Sequence, residues 1–114
     1  MMEEIIVVGS LAALAQGLRL RIFRLLVVAG KTGLTPGAMA ETLKVPAATL
    51  SFHLKELLHS GLITQERESR YLIYRAAFDR MNELVAYLTA NCCQGETGNA
   101  AAARRPRIAV DVEA

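Results

Sequence analysis

No stretch of this sequence is apolar for long enough to cross a membrane. The run Ile5 to Val8 is four residues before Gly9 and Ser10 interrupt it, against about 20 needed for a spanning helix. Cysteine is nearly missing: the only two, Cys92 and Cys93, are adjacent, which excludes the disulfide framework of a small secreted domain and predicts thiols in a reducing compartment. Basic residues are missing from the start, where Glu3 and Glu4 stand, so a secretory signal is not expected and the cytoplasm is the expected location. Histidine occurs twice, as His53 and His59, without the spacing of zinc ligands. A thiol enzyme is not expected either, since no acid stands ready to orient a histidine base toward a cysteine.

What remains is enough for one domain. The chain has 114 residues, 53% of them hydrophobic, which is more than disorder tolerates. Its net charge of +2 is unevenly spread: residues 17–75 carry nine Lys and Arg against four acids. A basic middle is what a phosphate-facing segment requires, although a solvated surface also carries such an excess. No internal repeat is visible.

Residues 3–16 are apolar almost all round, with Ile5, Ile6, Val7, Val8, Leu11 and Leu14 pointing in every direction if helical. Such a helix needs two partners, its own core and a second surface, for which a second subunit is expected; a buried β-strand is the competing assignment. A second helix carries Leu18, Leu20, Ile22, Phe23, Leu25 and Leu26, with Arg19, Arg21 and Arg24 on its wetter side, and ends near Gly30. Thr35-Pro36 reads as an N-cap followed by proline at the first helical position, opening a short helix to Leu43. Lys44-Val45-Pro46 forms a turn into a helix of about 47–60, which Gly61 closes. Residues 62–67 and 71–75 favour strand around the polar turn Glu68-Ser69-Arg70, a hairpin signal. A last helix runs from Phe78 to about Asn91, and residues 94–114 read as a disordered tail.

Two short helices joined by a tight turn and followed by a hairpin outline a winged helix-turn-helix, mainly α with a small β-hairpin, over residues 3–93. In the helix over 47–60, Leu50, Leu54, Leu57 and Leu58 group on one side at 100° per residue, while Ala48, Phe52, Lys55 and His59 lie opposite. A phenylalanine at the centre of a wet face is costly. Beside Ala48 and Lys55 it suits a major groove, meeting a thymine methyl while Lys55 reaches phosphate or guanine. Thr49 and Ser51 lie at the edges of that face, and His53 sits on the flank between core and solvent. Arg67 and Arg70 would address the adjacent minor groove or backbone from the wing over 62–75.

Leu14-Ala15, Arg19-Leu20-Arg21-Ile22, Leu50-Ser51-Phe52-His53-Leu54-Lys55-Glu56-Leu57, Ser60-Gly61-Leu62-Ile63, Arg67 to Arg70 and the Tyr71 to Tyr74 stretch together give the chain its likeness. Over roughly residues 5–93 it resembles the ArsR/SmtB metalloregulatory repressors. The resemblance implies a homodimer paired through its first and last helices, double-stranded operator DNA as partner, and release when an inducer binds. Departures from the pattern are Gln16-Gly17 for the common Asp-Pro or Ser-Pro, and Lys44 and Ser69 where glycine is usual.

The family's common inducer sites are largely missing. Thr32 to Ala40 holds no cysteine or histidine, and no histidine follows Asp79. Cys92-Cys93 remains. Phe78, Met81, Val85 and Leu88 step along one stripe suited to helix packing, and Cys92 is expected to continue it, with Cys93 at its edge. The pair resembles the last-helix site of arsenic-responsive family members, in which a third cysteine often follows; here none does. Two soft thiolates match a methylated trivalent arsenical, while arsenite or antimonite needs a further ligand, from water or the other subunit. The expected inducer is therefore a trivalent arsenic species, methylarsenite first. A thiol redox switch and a DNA binder without inducer are the alternatives.

Overall fold

Leu18, Ile22 and Leu26 recur every fourth residue, and all three are buried along one side of a helix whose outer side carries Arg21 and Arg24. That helix organises the fold. The structure is a computed structural model that describes residues 2–93, so the tail expected over 94–114 lies outside the described residues. The order is α1 (Glu4–Leu14), α2 (Gly17–Ala29), a one-turn 3-10 helix (Gly30–Thr32), α3 (Pro36–Leu43), α4 (Ala47–His59), strands β1 (Ile63–Glu68) and β2 (Tyr71–Ala76), and α5 (Phe78–Thr89). This is the expected winged helix-turn-helix, and the first segment is helix rather than strand.

One core cluster joins α2 to Met39 of α3, Leu50, Leu54 and Leu57 of α4, and Leu62, Ile63, Tyr74 and Ala76 of the wing. A smaller cluster of Met2, Val7 and Leu84 holds α1 to α5. The entry to α3 is capped as its sequence dictates: the Thr35 hydroxyl accepts from Ala38 N–H at 3.2 Å, with Pro36 in the first turn. At α2 the cap is Gln16, whose Oε1 accepts from Arg19 N–H at 2.8 Å, and Gly17 is the first residue of this helix.

The hairpin is antiparallel, with Ile63 opposite Ala76 and Glu68 opposite Tyr71. Its inner edge also bonds Leu34, which donates to Tyr74 O at 2.9 Å and accepts from Tyr74 N–H at 2.8 Å. The wing is thereby tied to the chain entering α3. Of the two residues in the hairpin turn, Ser69 has φ 61° and Arg70 has negative φ, a pattern in which glycine is preferred at the first position. Lys44, ending α3, sits at φ 59° and ψ 49°. Left-handed backbone costs an L-residue about 1–2 kcal/mol, partly offset by the greater unfolded freedom of glycine. Lys44→Gly and Ser69→Gly are each expected to stabilise the chain by about 0.5–1 kcal/mol; a lowered melting temperature in either would contradict this.

The last helix is shorter than its apolar pattern implies. It ends at Thr89; Ala90 is extended and Asn91 has φ 61°. Cys92 therefore does not continue the helical stripe, correcting that expectation. Asparagine tolerates the positive φ common just past a helix end, and Asn91 adopts it after about three turns, before the stripe can reach Cys92. Within α5, Phe78 and Met81 pack on the main core and Leu84 is buried, whereas Val85 and Leu88 are exposed.

Candidate nucleic-acid interface

The face of α4 turned away from the leucine core is open. Ala48, Thr49, Ser51, Phe52 and Lys55 are all exposed, and Phe52 keeps 58% of its surface accessible. A large aromatic ring left wet in the middle of a helix face has no packing reason to be there within one chain. Among the described residues its one ring contact is with His53, edge to face at 5.2 Å between centroids.

His53 occupies a different role from its neighbours. It is half-buried, and its Nδ1 lies 3.2 Å from Arg19 Nη1. The guanidinium has only donors, so Nδ1 accepts and the ring carries its proton on Nε2. Desolvation, and then the Arg19 charge, hold its pKa below the ordinary 6.5, with Glu56 opposing. Arg19 also donates from Nε to Ala13 O at 2.7 Å. One side chain thus ties the end of α1, through the start of α2, to the middle of α4. The residues are 34 positions apart, and nothing in the local sequence pattern announces the link.

The wing is electrostatically sorted. Strand residues alternate faces, so Glu66 and Glu68 share one face, and Arg75 spans both, donating to Glu66 Oε1 at 2.8 Å and Glu68 Oε2 at 3.1 Å. Hydrogen bonding to Glu68 is the main cause that raises the pKa of Arg75. Arg67 points to the other face, opposite Leu72, in line with the buried Ile63 and Tyr74. Arg70 sits at the tip with its guanidinium 5.8 Å from the Tyr71 ring centre. The wing acids are therefore paired by Arg75, while Arg67 and Arg70 are exposed cations with no ion pair among the described residues.

A helix-turn-helix with an aromatic and basic outer helix beside a cationic hairpin has counterparts among known proteins. A family model described as a helix-turn-helix domain matches residues 14–66. A solved structure of Mb0332 from Mycobacterium bovis, described as the homodimeric winged helix-turn-helix DNA-binding domain of a possible ArsR-family transcriptional regulator, is 31% identical. That match covers 75% of this chain and 80% of that one, with a TM-score of 0.60. This chain belongs to the ArsR family.

HlyU from Vibrio cholerae N16961 is 26% identical to this ArsR-family chain, covering 82% of it and all of HlyU, at a TM-score of 0.63. An ArsR-like transcriptional regulator from Rhodococcus sp. RHA1, 22% identical over 95% of this chain and 91% of that one, shares its fold at a TM-score of 0.66. No curated protein matches the chain.

The two cysteines of this ArsR-family chain lie just beyond α5. Their Sγ atoms are 3.4 Å apart, well outside disulfide bonding distance of about 2.05 Å. Cys92 is exposed and Cys93 half-exposed at φ 59°. The irregular backbone after Thr89 brings together what a continuing helix would have separated. No group of three or more His, Cys, Asp or Glu side chains with metal-site geometry occurs among the described residues. No single helix among them is long and apolar enough to cross a membrane.

Proposed function

We propose that the chain is a homodimeric transcriptional repressor that holds operator DNA through α4 and the wing and releases it when a trivalent arsenical binds Cys92 and Cys93. The observation that carries the DNA reading is the outer face of α4, where exposed Phe52 and Lys55 stand beside a wing whose acids are already paired. Phe52, Ala48 and Lys55 read base edges, with Thr49 and Ser51 at the margins. Arg67 and Arg70 contact phosphate or the minor groove. His53 acts through Arg19, fixing the angle of α4, rather than on the DNA.

Dimerisation follows from surface that one chain cannot cover. Ile5 is 77% exposed, and Val8, Leu11, Val85 and Leu88 are exposed with it on α1 and α5. A second copy laid against these helices removes them from water and sets two recognition helices about 34 Å apart, one turn of DNA. Mb0332 is described as homodimeric, which supports this arrangement.

At the thiols, methylarsenite exchanges its two hydroxides for two sulfurs. Two As–S bonds form, two As–O bonds break, and the thiol protons leave with the hydroxides as water, arsenic remaining trivalent. Sulfur atoms 3.4 Å apart on neighbouring residues suit a single soft centre. Closing that ring reshapes the chain directly after α5, next to Val85 and Leu88 at the proposed dimer seam. A coupling of about 1–3 kcal/mol changes DNA occupancy 5–150-fold.

The combined Cys92→Ser and Cys93→Ser variant is expected to bind DNA as the parent does and to lose the 5–150-fold release by methylarsenite. Fluorescence anisotropy under reducing conditions reads both. Undiminished release by the double variant contradicts the thiol site, and release of the parent by an oxidant but by no arsenical favours redox sensing instead.

A further inference from the structure

Arg75, near the end of β2, uses all three of its side-chain nitrogens at once. Nε donates to Lys31 O at 2.6 Å, Nη1 to Glu66 Oε1 at 2.8 Å and Nη2 to Glu68 Oε2 at 3.1 Å. The first bond reaches 44 positions back to the one-turn helix before α3, and the other two cross the hairpin to β1. The stem of Arg75 passes over Gly33, where a Cβ would stand 2.8 Å from its Cγ. Exposed ion pairs add little to stability, and the Glu66 and Glu68 side chains are both more than half exposed. As a staple the cluster therefore has little weight. Its consequence is electrostatic.

The two faces of the hairpin differ in charge. Leu72 and Tyr74 line a cleft with Ala40, Leu50 and Leu54, so the face that they share with Arg67 is the one turned to α3 and α4. Glu66, Glu68 and Arg75 lie on the opposite face. Residues 63–76 hold three arginines and two glutamates. Without Arg75 the wing has no net charge, and two bare carboxylates stand on either side of Arg67 in the chain. A carboxylate brought up to a phosphate is repelled. Arg75 itself sits at the base of the wing, opposite Thr64 and away from the Ser69-Arg70 turn.

We infer that Arg75 is a positioning residue of the DNA interface: without touching the duplex, it holds Glu66 and Glu68 masked on the far face of the wing, so that Arg67 and Arg70 meet phosphate unopposed. This inference rests on the DNA reading above and is independent of the thiol pair.

Anisotropy titrations of the full chain with a fluorescent duplex test it through a cycle of four proteins: the parent, Arg75→Gln, the Glu66→Gln and Glu68→Gln pair, and all three substitutions together. Arg75→Gln is expected to weaken duplex binding about tenfold in the parent and about threefold or less in the glutamine-pair background, where the acids it masks are gone. The pair alone breaks the same ion pairs, yet it and the triple variant are expected to bind at least as tightly as the parent. Arg75→Lys keeps the stem and one charge but lacks the fork that holds both acids. It is the second variant, expected to lose about threefold, a loss that the glutamine pair again removes. Equal losses in the two backgrounds, with a salt slope shallower by about 0.9 per contact, mean that Arg75 meets phosphate itself and overturn the inference. A triple variant weaker than the parent also overturns it, as the mark of a merely structural cluster. A parent that binds no duplex overturns instead the DNA reading on which the inference stands.

Discussion

Gly33→Ala is expected to destabilise the fold by about 3 kcal/mol or more. Gly33 has φ 71° and ψ −176°, a region open essentially to glycine alone, where another residue loses about 1–3 kcal/mol. A Cβ there would also stand 2.6 Å from Ile73 Cγ2, 2.7 Å from the Tyr74 carbonyl oxygen and 2.8 Å from Arg75 Cγ. The Tyr74 oxygen is backbone and already accepts from Leu34 N–H, so it cannot yield without loosening the bridge that ties the wing to α3. Gly30 is the matched control, with φ 66° and ψ −141° but open space around its Cβ position. Gly30→Ala should show the backbone cost alone. Urea denaturation reads both, and equal losses in the two variants would show that the wing is not packed on Gly33 as described. Against a total stability of about 5–15 kcal/mol for a domain of this size, the Gly33 loss is large enough to lower the folded population at 37 °C.

The second large effect concerns DNA. Removing both wing cations with Arg67→Ala and Arg70→Ala takes four from a dimer. If each contacts a phosphate, the slope of log K against log salt should shallow by about 0.9 per contact, a total of roughly 3–4. Counterion release alone then lowers affinity roughly 10³-fold at about 0.15 M salt. The loss should be nearly the same for every duplex sequence, because phosphates carry no base information. Phe52→Ala should behave otherwise: it leaves the salt slope unchanged and alters sequence preference by about 1–3 kcal/mol at the base pair it meets. Anisotropy titrations across salt concentrations separate the two. An unchanged slope after loss of both arginines would remove the wing from the interface.

The elements that place this interface were legible in the sequence because each has a local physical cause. Thr35-Pro36 marks the start of α3, Gly61 ends the turn after α4, and the leucine positions of α4 fix which side is wet. The β-branched run of α1 is ambiguous between helix and strand by composition, and its contacts with Leu84 and α2 decide for helix. The end of α5 is read too late, because the spacing of Phe78, Met81, Val85 and Leu88 extends formally to Cys92 while Asn91, the stop signal, is weaker than glycine. The Arg19–His53 link, the Leu34–Tyr74 bridge and the reach of Arg75 to Lys31 were not legible at all. Each joins segments far apart in the chain, and their residue types are common on helices and strands for local reasons.

Sedimentation velocity of the full chain with a fluorescent duplex of arbitrary sequence at low ionic strength is the most direct measurement. Two protomers should co-sediment with the duplex, with non-specific binding in the micromolar range that weakens steeply as salt is raised. A chain that stays monomeric and sediments apart from the duplex even at the lowest salt would contradict the account.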